Sequence, residues 1–231
     1  MFYYFDPMYM VFALPALLLA FYAQFKVQAA YGKYSRVPNR RGISGLEVAR
    51  YMLSALGLSH IKIEGASGQL ADHYDPRSKT LRLSPQVAGG RTVAALGIVA
   101  HEIGHATQDA ESYAPLRVRS GLVPIVQIGS WLGPILFLLG LLLRMMSLAW
   151  LGVLAFAGAF VFTLVTLPLE LNASRRGQEM LRAYNLADEQ EMKGVKTILS
   201  AASLTYVAAL AQALSTLLYY VFILSSMRRE E

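Results

Sequence analysis

The sequence has no cysteine and little charge, and both shortages narrow what the protein can be. Without cysteine it can form no disulfide, no thiolate metal site and no cysteine nucleophile. Only 16% of its 231 residues are charged, whereas a soluble domain usually carries about 25%. Together with 55% hydrophobic residues and a mean hydropathy of +0.41, this shortage argues against an ordinary soluble protein and against a disordered one.

Charge is missing altogether from four long stretches, which cover residues 7–25, 120–143, 145–169 and 197–227. A helix needs about 20 apolar residues to cross the hydrocarbon core of a bilayer, so each stretch is long enough. The sequence therefore predicts transmembrane helices at 7–25, 120–143, 145–169 and 204–226. The last is the most polar, and a buried or surface helix is the alternative there. The first has no Lys or Arg before it, so we interpret it as a retained anchor rather than a signal peptide.

Lysine and arginine are concentrated in the two polar segments between these stretches. Residues 26–119 hold thirteen of the 21, and residues 171–196 hold five. Because cytoplasmic loops of membrane proteins collect Lys and Arg, we expect 26–119 and 170–196 on the cytoplasmic side of the membrane. The basic residues that follow the first stretch would then face the anionic lipid heads of the bilayer. Since the charges follow this topology and no nucleic-acid motif, we expect no nucleic-acid partner.

The first polar segment has the pattern of a small α+β unit. Ser44 and Glu47 form a capping-box pattern before a run of apolar residues at helical spacing. Thr92 can cap a later helix that runs to about Asp109. Between these helices we predict three short strands, the last two joined as a hairpin, at 61–64, 70–74 and 80–83.

The motif that carries chemistry is His101-Glu102-Ile103-Gly104-His105. Residues i and i+4 share one face of a helix, so His101 and His105 can offer imidazole nitrogens to one Zn²⁺ ion. Glu102 lies beside them and can take a proton from a zinc-bound water, then pass it to the leaving amine. The motif therefore predicts peptide-bond hydrolysis with Glu102 as the general base. A pair of surface histidines beside a solvated glutamate is the alternative.

A catalytic zinc site takes three protein ligands and leaves one position open, so the motif needs a partner residue. Asp109 shares the face of the two histidines, but its short side chain lies two helical turns from His101. Glu170 follows the third uncharged stretch, where an uncompensated charge is costly, and it opens a helix-like segment. We expect Glu170 to be the third ligand, with Asp109 as the next candidate. A solvated residue at the membrane edge is the alternative for Glu170.

Four segments resemble one family. They are His-Glu-Ile-Gly-His-Ala-Thr-Gln at 101–108, Asp-His-Tyr-Asp-Pro-Arg at 72–77, Leu-Arg-Leu-Ser at 81–84 and Glu-Leu-Asn-Ala-Ser at 170–174. In these segments and in the order of its helices, the chain resembles the YugP-type zinc-dependent membrane proteases. It is more distantly similar to the membrane gluzincins of the HtpX and Ste24 type. The resemblance implies an integral-membrane neutral zinc metallopeptidase of bacteria, which the charge pattern would orient with its active site on the cytoplasmic side of the plasma membrane.

The resemblance also bears on residues around the metal. In the distant relatives an Asp orients a zinc-bound histidine from the position that Ser174 occupies here, and Ser174 can accept one hydrogen bond but adds no charge. Zincin-like sites have an edge strand beside the metal helix that pairs with extended substrate, and we expect 70–74 to be this strand. His73 or Tyr74 could then donate a hydrogen bond to the oxyanion. Turn chemistry with His73 exposed is the alternative.

We therefore expect a multi-pass α-helical membrane protein with a small cytoplasmic α+β zincin-like metallopeptidase domain, acting with Zn²⁺ on membrane or membrane-proximal protein substrates. A site-2-type intramembrane protease is one alternative, but only nine uncharged residues separate Arg91 from His101, too few to cross a bilayer. A non-catalytic zinc-stabilised scaffold is another, and it would need a closed four-ligand site. The sequence indicates neither a particular substrate nor an oligomeric state.

Overall fold

A computed structural model describes residues 7–68 and 70–227 of the chain. Its helices and strands follow one another in the order α1 (Pro7–Tyr34), α2 (Gly45–Ala55), β1 (Lys62–Gly65), β2 (His73–Asp75), β3 (Thr80–Leu83), α3 (Pro85–Ala88), α4 (Val93–Ala110), α5 (Ala114–Leu142), α6 (Met146–Ala183) and α7 (Glu189–Met227). Four of these helices, α1, α5, α6 and α7, are long and apolar enough to cross a membrane. The uncharged stretches of the sequence predicted these four.

The chain divides into two compact units. In the part that the structure describes, the apolar unit comprises residues 7–23, 114–168 and 204–227, and the polar unit comprises residues 24–113 and 169–203. The polar unit contains the histidine motif, the sheet and Glu170. The candidate chemistry of the chain therefore belongs to the polar unit.

In the apolar unit, glycines allow α5 and α6 to pack closely. A Cβ atom on Gly133 would lie 2.9 Å from the backbone nitrogen of Phe156, and one on Gly152 would lie 2.8 Å from the Cα atom of Phe137. Small residues bring membrane helices together in this way because lipid provides no hydrophobic driving force between them. Large apolar side chains such as Trp131 are exposed, as expected of helices that meet hydrocarbon.

In the polar unit, both helix starts predicted from the sequence have their caps. Ser44 accepts a hydrogen bond from the Glu47 backbone, and the Glu47 side chain accepts one from the Ser44 backbone, which completes the capping box of α2. The Thr92 hydroxyl oxygen accepts a hydrogen bond from the backbone of Ala95 at the start of α4. Residues of α2, α4 and the sheet then share one hydrophobic core, and this core holds α4 with most of its side chains buried.

The sheet has the strand order β1-β3-β2, in which β1 is parallel to β3 and β2 is antiparallel to it. The predicted hairpin is present, with Tyr74 opposite Leu81. The strand predicted at 70–74 is shorter and displaced, since β2 covers only His73–Asp75. Leu70 has a φ of 55°, a left-handed conformation that cannot belong to a strand. As an edge strand, β2 packs against α4.

Helix α6 runs without interruption from Met146 to Ala183. The expectation that a new helical segment opens at Glu170 is therefore wrong, because Glu170 lies within a continuous helix that passes through Pro168. The backbone changes direction after the end of α6, at Asn185, which has a φ of 51°. It follows that the rotation of α6 about its axis decides which way the Glu170 carboxylate points.

Candidate metal centre

Helix α4 carries the three polar residues of the motif on buried or partly buried positions. The imidazole rings of His101 and His105 lie one helical turn apart, with ring centroids separated by 4.8 Å. The Glu102 side chain is buried next to them. Small neighbours such as Ala100 and Gly104 leave room for another helix to approach this face. The motif therefore presents two imidazoles to the same side of the helix, as its spacing predicted.

Helix α6 comes into backbone contact with this face of α4. A Cβ atom on Gly177 would lie 2.7 Å from the carbonyl oxygen of Ala100, and one on Gly104 would lie 3.0 Å from the carbonyl carbon of Ala173. Only glycine at both positions permits such a close approach. Because the helices are this close, the side chain of Glu170, which is 3% exposed, reaches the two histidines.

Three potential ligand atoms converge between the two helices. The Oε2 atom of Glu170 lies 3.3 Å from Nε2 of His101 and 3.2 Å from Nε2 of His105. The ligand atoms of these three residues all lie within 4.8 Å of one another. Two imidazoles and one carboxylate form a donor set that catalytic zinc sites use.

The far nitrogen of each imidazole has a partner of its own. Nδ1 of His101 lies 3.0 Å from the Ser174 hydroxyl oxygen. Nδ1 of His105 lies 2.9 Å from the Gln108 side-chain oxygen. Both rings therefore turn Nε2 towards Glu170. In this arrangement the residues present fit a Zn²⁺ ion.

Glu102 is held at one of its two carboxylate oxygens. Its Oε2 atom accepts a hydrogen bond of 2.9 Å from the backbone N–H of Tyr74. Burial raises the pKa of the Glu102 carboxyl, and the charges of His101 and His105 partly oppose this rise. A carboxylate with a raised pKa binds a transferred proton more readily, which suits a general base.

Three other candidates from the sequence form hydrogen bonds away from Glu170. The Asp109 carboxylate accepts a hydrogen bond of 2.6 Å from the Tyr74 hydroxyl and another from Lys79. Burial and the hydrogen bond to Asp109 raise the pKa of Tyr74. His73 is exposed, and its Nδ1 atom lies 2.8 Å from a neighbouring backbone carbonyl oxygen. Of these residues, Tyr74 contacts Glu102, and it does so through its backbone rather than through its hydroxyl.

Gln108 is the residue near the histidines to which the sequence analysis assigned no role. It is fully buried, and its amide group joins His105 to the backbone of Leu169 on α6. Gln108 follows His105 by three residues, so the two side chains are neighbours on one face of α4. That spacing is the signal in the sequence that could have identified it.

Two comparisons with known proteins cover nearly the whole chain. The family described as "Putative neutral zinc metallopeptidase" matches residues 9–225. The "Putative membrane protease YugP" of Bacillus subtilis (strain 168) is 41% identical over 223 residues, which are 96% of this chain and 99% of that relative. No solved structure matches the chain. Both similarities extend across the histidine motif and Glu170.

Proposed function

Because this chain belongs to the family described as "Putative neutral zinc metallopeptidase", we propose that it is a zinc-dependent membrane endopeptidase. His101, His105 and Glu170 bind the zinc, and Glu102 is the general base. The observation that supports this most is the convergence of two imidazole Nε2 atoms within 3.3 Å of one carboxylate oxygen. A set of three protein ligands leaves a coordination position for water or substrate, which is typical of catalytic rather than structural zinc sites.

The reaction would be hydrolysis of a peptide bond, with proton transfers carried by Glu102. A zinc ion held by the three ligands would supply Lewis acidity, lowering the pKa of a water and polarising the scissile carbonyl group. Glu102 takes one proton from the attacking water while the water oxygen forms a bond to the carbonyl carbon. It delivers that proton to the amine nitrogen as the C–N bond breaks. The Tyr74 backbone occupies only Oε2 of Glu102, so its other oxygen is available for this transfer.

The cytoplasmic surface of the bacterial membrane is the proposed location of this reaction. Thirteen of the 21 Lys and Arg residues lie in residues 26–119, and such enrichment is typical of cytoplasmic segments. Helix α4 packs against the sheet rather than forming a long apolar span, which argues against cleavage within the bilayer. Substrates would be extended segments of membrane or membrane-proximal proteins, because the edge strand β2 adjoins Glu102 through Tyr74.

The first test separates metal binding from proton transfer. The full-length protein is purified in detergent and loaded with zinc, and cleavage of fluorescently labelled casein is measured beside zinc content. Glu102→Gln should retain zinc and lose cleavage by at least about 100-fold, the lower end of what general base catalysis contributes. Glu170→Gln should bind zinc poorly because one of the three ligands becomes a neutral amide.

A matched control is available on the same helix as Glu170. Glu179 is exposed and paired only loosely with Arg175, at 3.9 Å, so Glu179→Gln should bind zinc and cleave like the wild type. Cleavage at the wild-type rate by Glu102→Gln would contradict the proposed base. Full zinc content in Glu170→Gln would remove Glu170 from the ligand set.

A further inference from the structure

A chain of hydrogen bonds leads from Arg176 to the ligand His105, and it begins at a group that can only donate. The guanidinium of Arg176 donates from Nε to the Asn172 side-chain oxygen at 2.8 Å. Its other nitrogens face the Glu111 carboxylate at 2.7 Å and the Thr107 hydroxyl oxygen at 3.5 Å. Because arginine has no acceptor, the oxygen of the Asn172 amide must face Arg176.

The orientation of Asn172 determines the orientation of Gln108. The Gln108 nitrogen Nε2 donates to that same Asn172 oxygen at 3.0 Å and to the backbone carbonyl of Leu169 at 2.9 Å. Both partners are acceptors, so a flipped Gln108 amide would bring oxygen against oxygen twice. Gln108 is also fully buried, and no bulk water can replace the lost partners. The Gln108 oxygen therefore has to face His105.

The consequence for His105 is a defined place for its ring proton. Nδ1 lies 2.9 Å from the Gln108 oxygen, an acceptor, so Nδ1 carries the hydrogen. In the neutral ring, Nε2 then presents a lone pair to the Glu170 carboxylate, 3.2 Å away. Nε2 of His105 and the Glu170 carboxylate oxygen are then both acceptors, and a cation bound between them would interact favourably with each.

We propose that Gln108 is a positioning residue for the metal ligand His105, and that Asn172 and Arg176 hold its amide in the required orientation. The inference rests on the proposed function, in which His105 binds zinc through Nε2. His101 is held differently, because its Nδ1 faces the hydroxyl of Ser174, which can donate as well as accept. The hydrogen-bond chain from Arg176 therefore fixes the ring proton of His105 on Nδ1, whereas the contact with Ser174 allows the ring proton of His101 on either nitrogen.

The position of the His105 proton can be measured directly from the ¹⁵N chemical shifts of its ring. The full-length chain is labelled with ¹⁵N-histidine, stripped of metal in detergent and studied at a pH where the imidazoles are neutral. The chain has only four histidines, and a His105→Gln variant identifies the signals of interest. We expect a protonated Nδ1 and an unprotonated Nε2. A wild-type His105 with its proton on Nε2 would overturn the proposal, and this result needs no variant of Gln108 to fold.

Substitution of Gln108 tests the cause of this placement. Gln108→Leu removes the acceptor, so the proton should move to Nε2, where Glu170 can accept it. Zinc affinity should then fall about 10- to 100-fold, as is common when a residue that orients a metal ligand is lost. Gln108→Glu keeps an oxygen opposite Nδ1 and should retain the proton position, although its second oxygen then faces the acceptors of Asn172 and Leu169 and should lower the unfolding temperature. A merely structural role would lower the unfolding temperature and leave the ¹⁵N shifts of His105 unchanged.

Ser174→Ala is the matched control on the other histidine, and it should alter the signals of His101 but not those of His105. Unchanged His105 shifts together with unchanged zinc affinity in Gln108→Leu would contradict the proposal. None of these measurements uses a substrate. A chain with the expected spectrum and zinc affinity that cleaves no peptide would contradict the proposed function and not the role of Gln108.

Discussion

Replacement of Gly177 by alanine should weaken zinc binding although Gly177 contacts no ligand side chain. Gly177 lies on α6, seven residues after Glu170, and faces the α4 backbone. An added Cβ atom would lie 2.7 Å from the carbonyl oxygen of Ala100 and 3.0 Å from the backbone nitrogen of His101. These are backbone atoms that cannot rotate away, so α4 and α6 must move apart to accept the methyl group.

The size of the effect follows from this distance. Ordinary van der Waals contact begins near 3.4 Å, which leaves a shortfall of about 0.7 Å. Metal–ligand distances are held to within about ±0.2 Å. Since His101 and His105 belong to α4 and Glu170 to α6, zinc has to pull the helices back together. Overpacking an interior costs about 1–3 kcal/mol, so the zinc dissociation constant should rise about 5- to 150-fold at roughly 1.4 kcal/mol per factor of ten.

The assay is competition for zinc between the detergent-solubilised protein and a chromophoric chelator. Gly97→Ala is the matched control on α4, because a Cβ atom there would lie 3.5 Å from a methyl group of Val195, an ordinary contact. Gly97→Ala should therefore bind zinc as the wild type does. If Gly177→Ala and Gly97→Ala have equal zinc dissociation constants, the spacing of the two helices does not control the site.

Two further predictions concern the hairpin of β2 and β3. Tyr74→Phe removes the hydroxyl that donates to Asp109, so it should lower the free energy of unfolding by about 1 kcal/mol. It should also leave casein cleavage nearly intact, because the backbone N–H that holds Glu102 remains; a large loss of cleavage would show that the hydroxyl acts in the reaction. Hydrogen bonds from Ser78, and to a lesser extent from the Arg77 backbone and Arg82, lower the pKa of Asp75 to about 2, below its unfolded value of about 3.9. The Asp75 carboxylate therefore stabilises the fold above about pH 4 and loses this effect as the pH falls through about 2. Asp75→Asn should flatten this part of the pH dependence of denaturant unfolding, and an unchanged dependence would contradict the assignment.

Local features of the fold could be predicted well from local patterns. The capping box of Ser44 and Glu47 and the cap of Thr92 depend on residues three positions apart, and both are present. The uncharged stretches corresponded to four helices long enough to cross a membrane. The strand predicted at 70–74 was misplaced because its start depends on the left-handed backbone of Leu70, which no alternation of apolar residues indicates.

The continuity of α6 was the other feature that local patterns missed. The end of the third uncharged stretch and the charge at Glu170 suggested a boundary there, yet the helix passes through Pro168 and continues to Ala183. Long membrane helices tolerate proline when neighbouring groups satisfy the freed backbone. The continuous helix is what brings Glu170, Ser174 and Gly177 to α4 along one face.

The sequence by itself determined that His101 and His105 share a helical face with Glu102 beside them, because 3.6 residues per turn place positions i and i+4 together. It favoured Glu170 over Asp109 as the third ligand but could not show where either carboxylate lies. Only the tertiary structure brings Glu170 to the two histidines, since Glu170 is 65 residues from His105 and its direction depends on how α6 packs against α4. The same packing decides that Ser174 faces the ring of His101 and that Leu169 and Asn172 meet the Gln108 amide, because hydrogen-bond partners across helices depend on the close spacing that Gly104 and Gly177 allow.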